Sequence, residues 1–133
     1  VYLLDLVTGQ VVKTASALNT QKKFGADVIS RIEYAGDDPQ KLLELQSLVN
    51  TQIETLGKGV FQTSGLDQDD LLGVYMAGNT TMMHILQGLS PRSIAEAPFL
   101  PVSTEMMILR APEIHSSLAS HIRMIFLPSL SAY

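Results

Sequence analysis

The longest regular pattern in the sequence is a set of apolar residues at spacings of three and four between Asp38 and Gly65. Its members are Leu42, Leu45, Val49, Ile53, Leu56 and Val60. This spacing predicts an amphipathic helix of about six turns with one face turned to a core. Asp38 followed by Pro39 marks its start, because Asp caps free N–H groups and Pro suits the first helical position. Ser64 and Gly65 are expected to end it.

Apolar runs predict strands on both sides of this helix. Val1–Val7 and Gln10–Ala17 are joined by a short glycine-containing connection, which is a hairpin signal. The first run is almost continuously apolar, and this predicts a strand buried on both faces. Leu71–Ala77 predicts another buried strand, and Ile122–Leu127 predicts a last one.

Two shorter helices are predicted, Val28–Ala35 and Met82–Leu86, and the second should stop at Gly88. Residues 90–121 contain four prolines and are interpreted as irregular. The order is therefore β-β-α-α-β-α-loop-β, which predicts an α/β fold with a mixed β-sheet and helices on its faces. A length of 133 residues suits a single domain, residues 1–133.

Composition excludes several classes of function. The chain has no cysteine, so it holds no disulfide, thiolate zinc site or iron–sulfur cluster of its own. A net charge of −4, with Lys22-Lys23 as the basic pair, argues against nucleic-acid binding. No apolar run reaches a membrane span and no signal peptide is recognisable, so no membrane is expected and the location is expected to be cytoplasmic. None of the three histidines has metal-ligand spacing, so no metal site is expected.

The strongest local signal is the strand-to-helix junction Gly78-Asn79-Thr80-Thr81. Small polar residues there leave backbone N–H groups and the positive helix end open to an anion. Ligands of open α/β sheets bind at the carboxyl ends of strands. Alternatively, Asn79 or Thr80 only caps the following helix, which is the commoner role. The lysine pattern of a P-loop is absent.

A polar loop, residues 19–27, follows the predicted hairpin. It carries Asn19, Gln21, Lys22, Lys23 and Asp27. The loop could reach a phosphate or a partner domain, or it could be a solvated connection. Asp27 can also act as the N-cap or as a first-turn acid of the next helix, and its spacing of four from Arg31 allows an ion pair on one helix face.

Several segments together carry a family resemblance: YLLDLVTGQVV, ALNTQKKFGADVISRIEYA, MAGNTTMMHILQGLSP, APFLPV and IFLPSLSAY. In this order they resemble the C-terminal ATPase region of ferredoxin-like reductive activators of corrinoid proteins. That region is similar to the actin, sugar-kinase and heat-shock-chaperone ATPase superfamily, in which two lobes clamp ATP. The resemblance implies an incomplete, ribonuclease H-like first lobe that lacks its first strand and the Asp-x-Gly-Thr-Thr-Thr phosphate loop that ends it.

The resemblance also implies a function for a longer parent protein. Such activators use ATP and Mg to drive an electron from an iron–sulfur cluster onto cobalt(II), which restores the cobalt(I) corrinoid. The implied partners are a corrinoid protein or methyltransferase and the second lobe of the same chain. The cluster would lie in an N-terminal domain that is absent here. The chain begins and ends in apolar runs, so we expect a piece of that parent, without independent catalysis or catalytic residues.

The resemblance places roles on matching positions of this sequence. Gly78, Asn79, Thr80 and Thr81 are implied to line the nucleotide cleft. Pro128 and Ser129 match the segment linking the lobes, at the edge of a hinge. A motif of unassigned role, a cleft edge or a partner contact, covers Asn19, Gln21, Gly25, Asp27 and Arg31.

Two other functions stay open. A non-catalytic module could dock a corrinoid methyltransferase protein through Met106–Leu109 and the 19–27 loop, although methionine-rich segments are more often core. A sugar or acyl kinase lobe would need a catalytic carboxylate. Asp5 beside the hairpin turn and Asp27 at a helix start are the candidates, and neither position suits a catalytic base.

Overall fold

The computed structural model describes residues 1–130, which form two separate β-sheets and a layer of helices. The strands are β1 (Tyr2–Leu4), β2 (Val11–Thr14), β3 (Gly73–Met76), β4 (Met107–Arg110) and β5 (Arg123–Phe126). The α-helices are α1 (Val28–Ala35), α2 (Pro39–Gln62), α3 (Thr80–Gln87) and α4 (Arg92–Ala95). Three short 3-10 turns cover Thr20–Lys23, Gln68–Asp70 and Ala111–Ile114.

The larger sheet has three strands in the order β3-β5-β4. β3 runs parallel to β5 with Met76 opposite Phe126, and β4 runs antiparallel to β5 with Met107 opposite Phe126. The sheet is thus mixed, as predicted. One face packs with α2 and α3 into the core, whose buried members include Leu45, Val49, Met76, Met83, Ile85, Met124 and Phe126.

The prediction that residues 90–121 are irregular was wrong, because they contain α4 and β4. Pro91 directly precedes α4, and Pro112 lies in the first turn of the 3-10 turn after β4, so neither proline interrupts a strand or the interior of a helix. In β4, Met107 and Leu109 pack against the core while Ile108 is exposed. This alternation is typical of a strand covered on one face only.

Predictions of strands buried on both faces were also wrong. In β1, Leu3 is buried, whereas Tyr2 and Leu4 on the opposite face of the strand are 71% and 51% exposed. In β3, Tyr75 is 64% exposed on the sheet face opposite the core. A continuous apolar run allows a strand to be covered on both faces but does not require it. Within residues 1–130, one face of the three-stranded sheet is covered.

The predicted helix boundaries hold closely. The Asp38 carboxylate accepts the N–H of Gln40, with Pro39 at the first helical position, and α2 ends at Gln62 just before Ser64. Helix α3 starts earlier than expected, at Thr80, and stops at Gly88, which has φ of +74°. Within residues 1–130, no helix combines the length and apolar character needed to cross a bilayer.

Because the apolar face of α2 is buried, shortening a side chain at the centre of this face should lower the stability of the fold substantially. Leu45 has no exposed surface, so Leu45→Ala should lower the free energy of unfolding by about 2–5 kcal/mol. Leu72→Ala is the matched control: Leu72 is 67% exposed, and a change of no more than about 0.5 kcal/mol is expected. Urea denaturation of both variants measures this, and equal losses would contradict the assigned core.

Candidate functional site

The carboxyl ends of β3 and β5 leave the sheet at the same edge, because the two strands are parallel. Gly78 and Asn79 follow β3 there and are exposed. Pro128 and Ser129 follow β5, and the N–H of Ser129 donates to the carbonyl of Thr104 at 2.9 Å. The structure therefore brings the implied nucleotide-cleft residues and the implied hinge residues to one edge.

Asn79 caps α3. Its side-chain oxygen accepts the N–H of Met82 at 2.8 Å, so the capping interpretation of this residue is confirmed. Thr80 and Thr81 are buried side chains of the first turn. Within residues 1–130, the Thr81 hydroxyl oxygen has no hydrogen-bond partner. A role of these four residues in nucleotide binding stays a prediction.

His84 connects α3 to the loop before β4. Its Nε2 accepts the N–H of Val102 at 2.9 Å, so the ring proton lies on Nδ1, which donates to the Thr80 carbonyl at 2.8 Å. Burial lowers the pKa of this imidazole below its usual value, and the hydrogen bond to Thr80 opposes that shift. The neutral ring thereby holds Val102 against the first turn of α3.

The 19–27 loop is anchored on α2 by its own predicted site residues. Asn19 accepts the backbone N–H of Gln21 at 2.9 Å and donates its side-chain amide to the Gln21 oxygen at 3.0 Å. Gln21 is fully buried and donates to the carbonyl of Leu45 at 2.7 Å. This part of the loop is therefore fixed and not merely solvated, although Lys22 and Lys23 are exposed.

The rest of the loop presses against Arg31. A methyl group added at Gly25 would lie 2.8 Å from the Arg31 backbone nitrogen, so only glycine fits this approach. Asp27 caps α1: its carboxylate accepts the backbone N–H and the hydroxyl of Ser30, both at 2.8 Å. The Ser30 backbone bond is the main reason that the pKa of Asp27 is lowered.

The ion pair that the spacing of Asp27 and Arg31 allows does not form. The Asp27 carboxylate is taken up by its capping bonds, and Arg31 turns the other way. Arg31 Nε donates to the Gly25 carbonyl at 3.1 Å, and Nη1 reaches the Met82 sulfur at 3.2 Å. Since Met82 lies in the first turn of α3, this contact joins the 19–31 segment to the strand edge.

Met82 is the site residue that the sequence analysis did not single out. Met83 packs in the core, whereas Met82 is half-buried beside Arg31. Its position three residues after Asn79 placed it in the first turn, but no local signal gives a partner 51 residues away. Two further candidates from the sequence are Asp5 and Met106–Leu109. Asp5 accepts the N–H of Val7 in the hairpin turn. In the segment Met106–Leu109, Met107 and Leu109 pack against the core, whereas Met106 and Ile108 are exposed. Within residues 1–130, no cluster of acids and histidines could hold a metal.

Fold and site together define an α/β unit in which separated polar segments meet at the carboxyl edge of a mixed sheet. The family described as RACo middle region matches residues 1–133, and the chain belongs to this family. It is 30% identical over 132 residues to the corrinoid activation enzyme RamQ of Eubacterium limosum, covering 99% of this chain and 22% of RamQ. A solved reductive activator for corrinoid, iron-sulfur protein is similar with a TM-score of 0.92 and 30% identity, over 99% of this chain and 21% of that one. The chain thus spans about a fifth of these relatives.

The close approach of the loop predicts opposite effects at two glycines. Gly25→Ala forces a methyl group onto the Arg31 backbone and should destabilise the fold by roughly 1–3 kcal/mol. Gly59→Ala is the control, because no atom lies within 4 Å of the added methyl in α2, and it should stabilise by roughly 0.5–1 kcal/mol. Thermal unfolding compares the two, and a Gly25→Ala variant as stable as the parent would refute the contact.

Neutral His84 predicts acid sensitivity. Its pKa is lowered in the folded state, so the unfolded chain binds the proton more readily. The stabilisation is complete above pH 6.5, the usual histidine pKa, and is lost progressively as the pH falls below it. Urea unfolding between pH 5 and 8 should show this slope in the parent and in the exposed-site control His115→Gln. His84→Gln should be less stable at pH 8 and flatter with pH; an unchanged slope would rule out His84 as its source.

Proposed function

We propose that this chain is part of an ATP-dependent reductive activator that returns cobalt(II) corrinoid proteins to cobalt(I), and that it catalyses nothing alone. The observation that carries the proposal is the meeting of three polar segments at one sheet edge, through the parallel strands and the Arg31–Met82 contact. The names of RamQ and of the solved activator support the corrinoid part. A corrinoid protein or methyltransferase would be the partner, in the cytoplasm.

The residues at the edge are suited to a nucleotide. Gly78 is exposed and without a side chain, so a phosphate could approach its backbone closely. The capped first turn of α3 supplies the positive end of a helix dipole. In this proposal Asn79 orders that turn, and Thr80 and Thr81 anchor it in the core beside the cleft.

The proposal assigns this chain an incomplete first lobe of the actin-like superfamily. Within the described residues, β1 pairs only with β2, and β3 pairs only with β5, so each has an open edge. Open edges are normally paired or covered, which supports a further strand supplied by the longer protein. Pro128 and Ser129 would then stand at the hinge toward a second lobe.

Conformational coupling would link ATP to the redox step. ATP can drive a change only by its differential affinity for two arrangements of the lobes. Cleft and hinge residues lie at one edge of the sheet, so the affinity for ATP can depend on the arrangement of the lobes. ATP and Mg would bind between the lobes of the complete protein. This chain has no cysteine to ligate an iron–sulfur cluster, so in this proposal the cluster would belong to another domain.

A specific observation favours docking as a second candidate. Met106 is 55% exposed and Ile108 is 53% exposed, on and beside the edge strand β4. With Tyr75 on the same outer sheet face, they form an apolar surface suited to a protein partner. A docking module would bind the corrinoid protein without nucleotide.

Calorimetry with Mg-ATP tests the proposal on this chain and on the full-length protein that carries it. We expect binding by the full-length protein only, because the cleft needs both lobes. If neither binds, the ATP-dependent function is refuted, and nucleotide-free binding of the corrinoid protein would then establish the docking module. Tight binding by this chain alone would refute the incomplete lobe.

Matched capping variants localise the nucleotide. Asn79→Ala and Asp38→Ala each remove one cap, at a cost of about 0.5–2 kcal/mol in stability. In the full-length protein, Asn79→Ala should weaken Mg-ATP binding and ATP-dependent cobalt(II) reduction, followed by the absorbance of the corrinoid. Asp38→Ala at the start of α2 should leave both unchanged. Equal losses in the two variants would contradict a cleft at the start of α3.

A further inference from the structure

Arg31 is a buried cation that forms no ion pair in the part of the chain that the structure describes, although its charge helps to lower the pKa of the exposed Asp27 carboxylate. Its exposed fraction is 8%. The ion pairs found within residues 1–130 join Arg92 to Asp37 and Glu96, and none involves Arg31. Burying a charge is unfavourable unless a counter-charge compensates it. The position of Arg31 therefore calls for an anion.

The contacts of the guanidinium leave room for that anion. Nε donates to the Gly25 carbonyl and Nη1 to the Met82 thioether, which is a weak acceptor. Nη2 has no acceptor in residues 1–130. The fully buried side-chain atoms without a partner are Asn50 Oδ1 and Thr81 Oγ1, so Nη2 keeps contact with solvent. A ligand can reach it without breaking an existing ion pair.

The site is built from two directions. The backbone of Gly25 lies too close to Arg31 for any larger residue, and this holds the arginine stem in place. At the other end, Nη1 touches Met82 in the first turn of the eight-residue helix α3. The positive end of α3 and the guanidinium charge thus act on the same place.

We propose that Arg31 and the first turn of α3 bind a phosphate-class oxyanion. The planar guanidinium donates two parallel N–H bonds to oxygens of a tetrahedral anion, and helix N-termini favour the same charge. Assigning this phosphate to a nucleotide rests on the proposed function. The bare anion site rests on the contacts of Arg31 alone.

Thermal unfolding in sodium pyrophosphate and in sodium chloride of equal ionic strength tests the site on the 133-residue chain. The parent Tm should rise in pyrophosphate, because a ligand of the native state stabilises it. In Arg31→Met the rise should vanish, with apparent affinity at least about thirtyfold weaker. The Tm of this variant in chloride is its own reference, because the substitution also removes the hydrogen bond from Arg31 Nε to the Gly25 carbonyl.

Two further variants keep the test decisive. Arg123→Met removes an equal charge from the exposed start of β5 and should retain the full pyrophosphate effect. Arg31→Lys keeps the charge but loses the planar fork, so its response should be smaller than the parent's. No Tm response in the parent, or equal responses in Arg31→Met and Arg123→Met, would overturn the anion site.

Mg-ATP binding by the full-length protein separates this inference from the proposed function. If Arg31→Met abolishes the pyrophosphate response and weakens Mg-ATP binding, the oxyanion is a nucleotide phosphate. If the pyrophosphate response depends on Arg31 but the full-length protein does not bind Mg-ATP, the anion site is supported and the ATPase function is refuted. Mg-ATP binding that is indifferent to Arg31→Met, with no pyrophosphate response, refutes the site and leaves the function standing.

Discussion

The structure depends on the buried face of α2, which supplies hydrogen bonds as well as apolar contacts. Gln46 donates to the Leu86 carbonyl near the end of α3 at 3.0 Å, and Asn50 donates to the Ile114 carbonyl after β4 at 2.9 Å. Carbonyl groups at element ends lack partners of their own and must find them when buried. The carbonyl of Leu45 in turn accepts Gln21 of the 19–27 loop. One helix therefore positions both α3 and the loop, whose meeting forms the candidate site.

Features set by neighbouring residues could be predicted from the sequence, and features set by distant ones could not. The caps at Asp27 and Asp38 are local, since each carboxylate binds an N–H two or three residues away, and both were predicted correctly. Strand β4 was missed because its pairing with β5 is non-local and prolines nearby suggested a loop. The Asp27–Arg31 pair that the spacing allowed does not form, because the Asp27 carboxylate binds Ser30 and the Arg31 guanidinium contacts Met82.

The candidate site shows the same division. Asn79 was correctly expected as a possible cap, and the three segments singled out by sequence do converge. Their convergence follows from the direction of the strands and from the contact between Arg31 and the Met82 thioether. Neither can be predicted from the local sequence pattern. Several residues in these segments have structural roles: Asn19 and Gln21 fix the loop, and Thr80 packs in the core. Arg31 differs, because it is buried and forms no ion pair within residues 1–130.

The ring of His84 also limits which residues the chain can accept at that position. It presents a donor and an acceptor on opposite sides of a rigid, uncharged plane, to Thr80 and to Val102. Glutamine and asparagine carry their donor and acceptor at one end of a flexible stem, and lysine or arginine would bring only donors and a charge. An apolar residue would fill the space but would lose both of these hydrogen bonds. Position 84 is therefore close to irreplaceable for a reason unconnected with catalysis, and its invariance in a set of related chains would not mark it as chemically active.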